Sequence, residues 1–150
     1  FRTGHLEAAL TFIPYGTAVD AFQHAVYDSP TATPDERAAM WQRVEADFLP
    51  WRRYADMPYA ATGRIWQRQR HIYSSPFYYI DYCLAQLCAL QLWSLARKDR
   101  ADAMARYRAL CDLGGSMAFT GLLAEVGLKS PFEDGVVEEV VSEAAAFLDL

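Results

Sequence analysis

The sequence lacks any apolar run long enough to cross a membrane. A spanning helix needs about 18 or more consecutive apolar residues. The longest candidate, Ile80–Leu95, is interrupted by Asp81, Gln86 and Gln91. Residues 1–16 also lack the basic segment, apolar run and small-residue cleavage site of a signal peptide. We therefore predict no membrane partner, and we read Ile80–Leu95 as a buried or amphipathic helix.

Positive charge is also scarce. The chain carries 14 Lys and Arg residues against 19 Asp and Glu residues, a formal net charge of -5. No basic stripe collects on one face, so the electrostatic footprint of a nucleic-acid-binding protein is missing. The acidic segment Glu133–Glu143 is interpreted as a solvated helix face. We predict no nucleic-acid partner.

Cysteine is sparse and shows no metal or disulfide spacing. The chain has Cys83, Cys88 and Cys111, an odd number without a Cys-x-x-Cys pair. Two cysteines five residues apart on a helix point in different directions. We predict reduced, buried thiols that act as small apolar side chains in a cytoplasmic protein.

No motif for a metal or a nucleophile is recognisable. The histidines are His5, His24 and His71, and none belongs to a His-Glu-x-x-His pair. Asp20, His24 and Asp28 are spaced by four and could share a helix face. A metal site is one reading of this set, but a carboxylate orienting a histidine, or ordinary surface polarity, is the favoured one. Phosphate-binding glycine loops and Ser/His/Asp arrangements are absent.

What the sequence does contain is helical periodicity. The length of 150 residues suits one domain, and 53% hydrophobic residues suffice for a core. Apolar positions recur at helical spacing over Leu6–Tyr27, interrupted by Pro14, which predicts either two helices or one kinked helix. Thr33, Pro34 and Glu36 form a strong helix start. No alternating strand pattern appears, so the predicted class is all-α.

The remaining helices are predicted from caps, prolines and glycines. A turn-rich connector should cover Trp51–Gly63, with a short helix or an extended segment at Trp66–His71. Further helices are expected at Pro34–Phe48, Phe77–Ala96 after Ser74-Ser75-Pro76, Arg100–Asp112, Ser116–Val126, and from the Ser130-Pro131 cap to Leu148.

An unusual aromatic segment lies at His71–Tyr82. It holds one histidine and four tyrosines within twelve residues, the tyrosines being Tyr73, Tyr78, Tyr79 and Tyr82. On a helix, the spacings from Tyr78 and Tyr79 to Tyr82 place each pair on one face. Phenolic hydroxyls are neutral donors that can stabilise a developing oxyanion. The alternative is an aromatic core whose hydroxyls bind backbone groups.

The chain resembles, over essentially its whole length, the carboxy-terminal third of oligoendopeptidase F-like zinc metallopeptidases. These are bacterial relatives of thimet oligopeptidase and neurolysin. The motifs that carry the resemblance occur in the same order as in that family: Phe12–Gly16, Val19–His24, Trp66–Tyr73, Pro76–Tyr82, Leu84–Gln86, Gly114–Ser116 and Gly127–Phe132.

The resemblance implies a multi-helix part of a neurolysin-like zincin fold, in an enzyme that hydrolyses short peptides in a channel between two lobes. In the family, zinc and its general base lie in a segment that would precede Phe1. His71 matches a family histidine, Tyr79 and Tyr82 best match the oxyanion-stabilising tyrosines, and Tyr78 and then Tyr73 match less closely. The predicted catalytic residues are Tyr82, Tyr79 and His71, and the predicted substrate-binding residues are His71, Tyr78 and Tyr73.

Several expectations follow for the chain itself. Because it begins at Phe1, we expect a truncated protein: residues 1–150 as one helical domain, the carboxy-terminal part of the catalytic region without the His-Glu-x-x-His helix. Zinc is expected in the full-length protein and none on this chain, which alone should be inactive. Its partners would be short peptides and the missing amino-terminal portion. Exposed apolar surface would favour self-association. The alternative is a stand-alone helical interaction module without catalysis.

Overall fold

A computed structural model describes residues 2–150, with side chains from residue 3 onward. The described part contains helices and turns and no strand, which confirms the all-α prediction. Seven α-helices occur within it: α1 (Arg2–Asp28), α2 (Pro34–Phe48), α3 (His71–Ser74), α4 (Ile80–Lys98), α5 (Arg100–Leu113), α6 (Phe119–Glu125) and α7 (Val136–Leu148). No described helix is both long and apolar enough to cross a bilayer.

The helices are distributed over two compact units. One unit is Thr11–Cys83, and the other combines the amino-terminal residues through Leu10 with Leu84–Leu150. The boundaries fall inside α1 and α4, so each of these two helices contributes residues to both units. The expectation of a single domain stays a prediction.

Two arrangements were predicted around Pro14, two helices or one kinked helix, and the structure shows one helix, α1. The helix is continuous from Arg2 to Asp28 with Pro14 inside it. Proline lacks the N–H that would bond the carbonyl four residues earlier, so one helical hydrogen bond is missing there. Burial of Ala18, Val19 and Phe22 further along α1 supplies packing on one face of the helix.

Helix α2 begins where the sequence predicts. Thr33 is the N-cap, and its hydroxyl accepts from the N–H of Glu36 at 3.3 Å. In return, the Glu36 carboxylate accepts from the N–H of Thr33 at 2.7 Å, which completes a capping box. Pro34 occupies the first turn, where its missing N–H costs nothing.

The core of the Thr11–Cys83 unit is aromatic. Val19, Phe22, Trp41 and Trp66 are buried together. The Phe22 ring lies edge-on to Trp41 at 5.4 Å between centroids and packs on Trp66 at 4.8 Å. Trp66 belongs to a 3-10 turn over Ile65–Arg68, whereas Gln69 is extended, so each of the two predicted alternatives for Trp66–His71 applies to part of the segment. This packing anchors the chain just before His71.

Helix α4 starts three residues later than predicted. Phe77 has a φ of 61°, so it cannot be part of a right-handed helix. Its N–H donates instead to the side-chain oxygen of Gln23 at 2.9 Å, and Gln23 is buried on α1. The helix therefore begins at Ile80, and it ends at Lys98 instead of Ala96.

In the other unit, Cys88, Leu123, Val126 and Leu128 form the core. Two helix starts were predicted wrongly there. Helix α6 begins after Ala118, without a side-chain cap, while the N–H of Ser116 bonds Leu113 in the preceding turn.

Helix α7 also starts later than its predicted cap. The Glu133 carboxylate accepts from the N–H of Ser130 at 2.8 Å, so these two residues close a local turn. Gly135, with a φ of 82°, then precedes Val136, the first residue of the helix. The Ser130-Pro131 motif, predicted to cap α7, therefore stabilises a turn that begins six residues before this helix.

Candidate active site

The predicted site residues lie in the Thr11–Cys83 unit, where three short stretches meet. His71 is the first residue of α3, Tyr82 lies in the first turn of α4, and Tyr79 directly precedes α4. The N–H of Tyr82 bonds the carbonyl of Tyr79 at 3.3 Å, so the turn before α4 continues into the helix. This arrangement gathers the aromatic segment around one imidazole.

His71 is in contact with two tyrosines. Its Nε2 lies 3.5 Å from the hydroxyl oxygen of Tyr82. The imidazole is edge-on to both rings, with centroid distances of 5.6 Å to Tyr82 and 5.0 Å to Tyr79. The Tyr79 and Tyr82 rings are 5.5 Å apart. The three residues predicted as catalytic therefore form one cluster.

Tyr79 is the inner member of this cluster. Its half-buried ring lies edge-on to Tyr15 at 6.0 Å and tilted against Phe12 at 5.9 Å. Burial raises the pKa of Tyr79, and the nearby Tyr15 adds to the rise. The phenol consequently stays protonated at neutral pH and is available as a donor.

Tyr82 and Tyr78 form the outer edge. Their rings meet edge-on at 5.3 Å, and both side chains are exposed. Partial desolvation raises the pKa of Tyr82, and a hydrogen bond with Tyr78 acts in the same direction. An exposed, protonated hydroxyl next to an imidazole can donate to a carbonyl oxygen that approaches from solvent.

Tyr73 is placed differently from the other tyrosines. Its ring stacks on Trp66 at 6.0 Å with an angle of 27° between the planes, and it is 58% exposed. Burial raises the pKa of Tyr73, and Tyr59 contributes to the shift. The structure thus places Tyr73 on the surface beside Trp66, whereas His71, Tyr78, Tyr79 and Tyr82 touch one another.

Two residues without an assigned role complete the surroundings of His71. The Gln69 amide nitrogen lies 2.8 Å from Nδ1 of His71, and the Tyr15 hydroxyl donates to the Gln69 oxygen at 2.8 Å. Both belong to motifs that carry the family resemblance, Phe12–Gly16 and Trp66–Tyr73. Their place in these motifs is the sequence feature that could have identified Tyr15 and Gln69, because neither residue type indicates a role in the site by itself.

Two helices approach each other closely beside Tyr79. Gly16 on α1 faces Cys83 on α4, and a Cβ added at Gly16 would lie 2.1 Å from the Cys83 sulfur. Such a distance is far below van der Waals contact, so only glycine fits there. The same Cβ would lie 3.8 Å from the Tyr79 ring. The Tyr79 ring therefore lies beside the close approach of α1 and α4.

The thiols follow the prediction at two positions and depart from it at the third. Cys83 and Cys88 are buried, and burial raises the pKa of each to about 11. Cys111 is exposed on α5, so the prediction of a buried thiol was wrong there. The Cys111 side of α5 faces solvent, although the residue type suggested core.

Metal-binding capacity is limited in the part of the chain that the structure describes. It contains no group of three or more His, Cys, Asp or Glu residues arranged to hold a metal ion. His24 and Asp20 form a pair at 3.4 Å with the His24 side chain 66% exposed, which agrees with both favoured readings, a carboxylate orienting a histidine and ordinary surface polarity. The residues described do not fit a zinc site, and no zinc-dependent step is assigned to them.

Comparison with known proteins defines the class. The family model of peptidase family M3 matches residues 1–142. This chain belongs to peptidase family M3. Among curated proteins, a search finds none that matches.

Solved structures agree with the family. The chain is 55% identical to a protein described as an oligoendopeptidase F, with a TM-score of 0.95. It is 47% identical to PZ peptidase A with an inhibitor, with a TM-score of 0.94. An oligoendopeptidase F from Bacillus anthracis strain Ames is 42% identical, with a TM-score of 0.80. Each comparison covers 99% of this chain, but only 26%, 26% and 23% of the respective relatives.

Proposed function

We propose that this chain is the carboxy-terminal segment of a zinc-dependent oligopeptidase that hydrolyses short peptides. Its contribution would be the wall of the active site that binds substrate and stabilises the oxyanion. One observation carries the proposal: the His71 imidazole and the Tyr82 hydroxyl approach to 3.5 Å within a cluster of tyrosines. Membership of family M3 and the coverage of about a quarter of each related chain support it.

The roles proposed for individual residues follow from exposure and contact. The exposed Tyr82 and the half-buried His71 bring a hydroxyl and Nε2 together, and the Tyr79 ring packs against both side chains. These three would act on the reacting carbonyl oxygen. Tyr78 and Tyr73 expose 46% and 58% of their side chains and would, with His71, bind the peptide. Neutral donors suit this task because they stabilise negative charge without carrying charge themselves.

Other parts of the proposal concern the longer protein. Zinc and the general base would be held by residues outside this chain, in the missing amino-terminal portion. The 150-residue chain alone would then neither bind zinc tightly nor cleave peptides. The protein would act in the cytoplasm. Stoichiometric, tight zinc binding by the chain alone, measured by calorimetry, would contradict this division of roles.

The test uses the longer protein with single substitutions. Tyr82→Phe removes one hydroxyl and keeps the ring, and we expect kcat to fall on the order of a hundredfold or more. The control is Tyr107→Phe, since Tyr107 is also exposed but lies on α5 in the other unit. If Tyr82→Phe hydrolyses peptides at the wild-type rate, the proposed role of Tyr82 in stabilising the oxyanion is wrong. If His71→Gln and Tyr79→Phe are unaffected too, this aromatic cluster takes no part in the hydrolytic step. A longer protein that hydrolyses no peptide would instead favour the interaction module without catalysis.

A further inference from the structure

We propose that Gln69 is a positioning residue that fixes the His71 imidazole in the tautomer with its proton on Nε2, and that Tyr15 orients Gln69. The tautomer can be tested on the chain itself. Its value for catalysis rests on the function proposed above for His71.

The first step concerns the contact between Gln69 and His71. The amide nitrogen of Gln69 lies 2.8 Å from Nδ1 of the imidazole. An amide NH2 group only donates, so Nδ1 must be the accepting nitrogen. In a neutral imidazole the other nitrogen then carries the proton. The contact therefore selects Nε2–H.

The second step explains why the amide faces this way. The Tyr15 hydroxyl donates to the Gln69 oxygen at 2.8 Å, which leaves the amide nitrogen for His71. The Arg52 guanidinium lies 4.9 Å from the centre of the Tyr15 ring, and the charge of Arg68 also acts on the phenol. Arg68 also donates a hydrogen bond to the Tyr15 oxygen, which occupies a lone pair there. The hydroxyl proton is thereby directed toward Gln69.

The backbone keeps Gln69 where this contact needs it. Gln69 follows the 3-10 turn at Ile65–Arg68, and its N–H bonds the carbonyl of Trp66 at 2.8 Å. Trp66 is itself anchored in the aromatic core. Tyr15 comes from the middle of α1, where its ring lies edge-on to Trp41 at 6.5 Å. The backbone of Gln69 and the ring of Tyr15 are therefore both held in place by their neighbours.

The tautomer of His71 determines whether Nε2 donates or accepts a hydrogen bond. Nε2 is the atom that faces the Tyr82 hydroxyl, at 3.5 Å. With its proton on Nε2, the imidazole donates into the same space as Tyr82, so two donors converge on one approaching oxygen. The opposite tautomer would present a lone pair to that oxygen and repel it. Gln69 and Tyr15 thus decide whether His71 acts as a donor or as an acceptor.

The test is nitrogen NMR on the chain labelled with 15N at histidine. Spectra are recorded at about pH 8.5, where an ordinary imidazole is neutral. Three histidines give three patterns, and His71→Gln identifies the signal of interest. We expect His71 to show a protonated Nε2. A wild-type signal with the proton on Nδ1 would overturn the proposal without any variant.

Two variants add a causal test. Gln69→Glu replaces the donor by a carboxylate that accepts, and the His71 proton should move to Nδ1. Tyr15→Phe frees the amide to turn, and the two tautomers should mix. The control is Gln67→Glu, which adds the same charge two residues earlier and keeps an acceptor for the Tyr59 hydroxyl. The signals of His5 and His24 report whether each variant is folded. A Gln69→Glu protein in which Nε2 keeps the proton and Nδ1 remains unprotonated would contradict the proposal.

Kinetics of the longer protein separate this proposal from the function on which it rests. Gln69→Glu should lower kcat by about a hundredfold, as for the loss of one oxyanion donor, with a small change in KM. If the NMR shows the tautomer switch but kcat is unchanged, the positioning role stands and the catalytic role of His71 is wrong. If kcat falls without a switch, the positioning role is wrong.

Discussion

Gly16 and Cys83 approach so closely that a single methyl group on Gly16 would lie 2.1 Å from the Cys83 sulfur. The sulfur also lies 3.6 Å from the carbonyl oxygen of Ile13, one turn earlier on α1. The start of α4, which carries Tyr82, is therefore positioned by contact with the α1 backbone. Overpacking a tight contact of this kind typically costs about 1–3 kcal/mol.

We predict that Gly16→Ala destabilises the chain by about that amount, because either α1 or α4 must move. Urea unfolding followed by tryptophan fluorescence measures the change in the free energy of unfolding. Gly4→Ala is the matched control, since Gly4 lies on the same helix with nothing within 4 Å of an added Cβ. That control should be neutral or stabilising by up to about 1 kcal/mol.

A double variant tests the cause. Cys83→Ala removes the sulfur that the new methyl group would meet, so Gly16→Ala should cost much less in a Cys83→Ala background. The coupling is read from a double-mutant cycle. Additive effects of the two substitutions would show that the contact is not the source of the destabilisation.

The capping box of α2 should make stability depend on pH. Hydrogen bonds from Thr33 lower the pKa of Glu36 below its usual value of 4.5. A carboxyl group with a lowered folded-state pKa stabilises the fold fully above its unfolded value, and this contribution is lost as the pH falls through the folded value. The window therefore lies at and below about pH 4.5, the ordinary value for Glu36.

Glu36→Gln isolates this contribution. The amide oxygen still accepts a hydrogen bond but does not titrate, so the loss of stability upon acidification should be smaller than in the wild type. Thr33→Ala removes the cap itself and should cost about 1 kcal/mol at neutral pH. Thermal unfolding between pH 3 and 7, followed by circular dichroism, gives both comparisons (the pH range being roughly that of carboxyl titration). Identical pH profiles for wild type and Glu36→Gln would refute the assignment.

Thiol reactivity should distinguish the three cysteines. The thiolate is the reactive form, and burial raises the pKa of Cys83 and Cys88 to about 11. Cys111 is exposed, so an alkylating reagent should modify it first in the native chain. Peptide mass spectrometry over a time course locates each modification. Alkylation of Cys83 or Cys88 at the rate of Cys111, without denaturant, would contradict the described packing.

Self-association stays a prediction for the isolated chain. Leu6, Leu90 and Trp93 help to line a cavity of about 450 Å³ in the unit that combines the residues through Leu10 with Leu84–Leu150. Trp51, Met57 and Phe132 each expose more than half of their side chains. Apolar surface of this kind favours contact between copies. Sedimentation velocity over a range of concentrations should show a species larger than the monomer, and a monodisperse monomer at the highest concentration would argue against it.

Sequence patterns predicted the start of a helix correctly where contacts between residues close in the sequence determine it. Thr33, Pro34 and Glu36 fix the start of α2 through contacts within four residues, and the prediction was confirmed. The start of α4 could not be found this way, because Phe77 takes a positive φ and bonds Gln23, which lies 54 residues away. The helix propensity of neighbouring residues carries no information about a hydrogen bond that forms only in the tertiary structure.

The same distinction applies to the candidate site. The spacing from Tyr78 and Tyr79 to Tyr82 predicted that each pair lies on one face, and the rings of each pair are in contact. The contact of His71 with Tyr82, eleven residues later, does not follow from that spacing. The link from Tyr15 to Gln69 joins residues 54 positions apart, and no local pattern in the sequence indicates it. Cys111 illustrates the opposite case, in which residue type suggested burial and the orientation of α5 decided otherwise.

The central claim is that Tyr82 acts on the oxyanion and not on the ground-state substrate. The most direct measurement compares Tyr82→Phe with wild type in the longer protein, using a peptide substrate and a phosphinic peptide that mimics the tetrahedral intermediate. We expect affinity for the mimic and kcat/KM to fall by the same factor, roughly a hundredfold, with KM nearly unchanged. An equal loss of affinity for substrate and mimic, or no loss for either, would contradict the account.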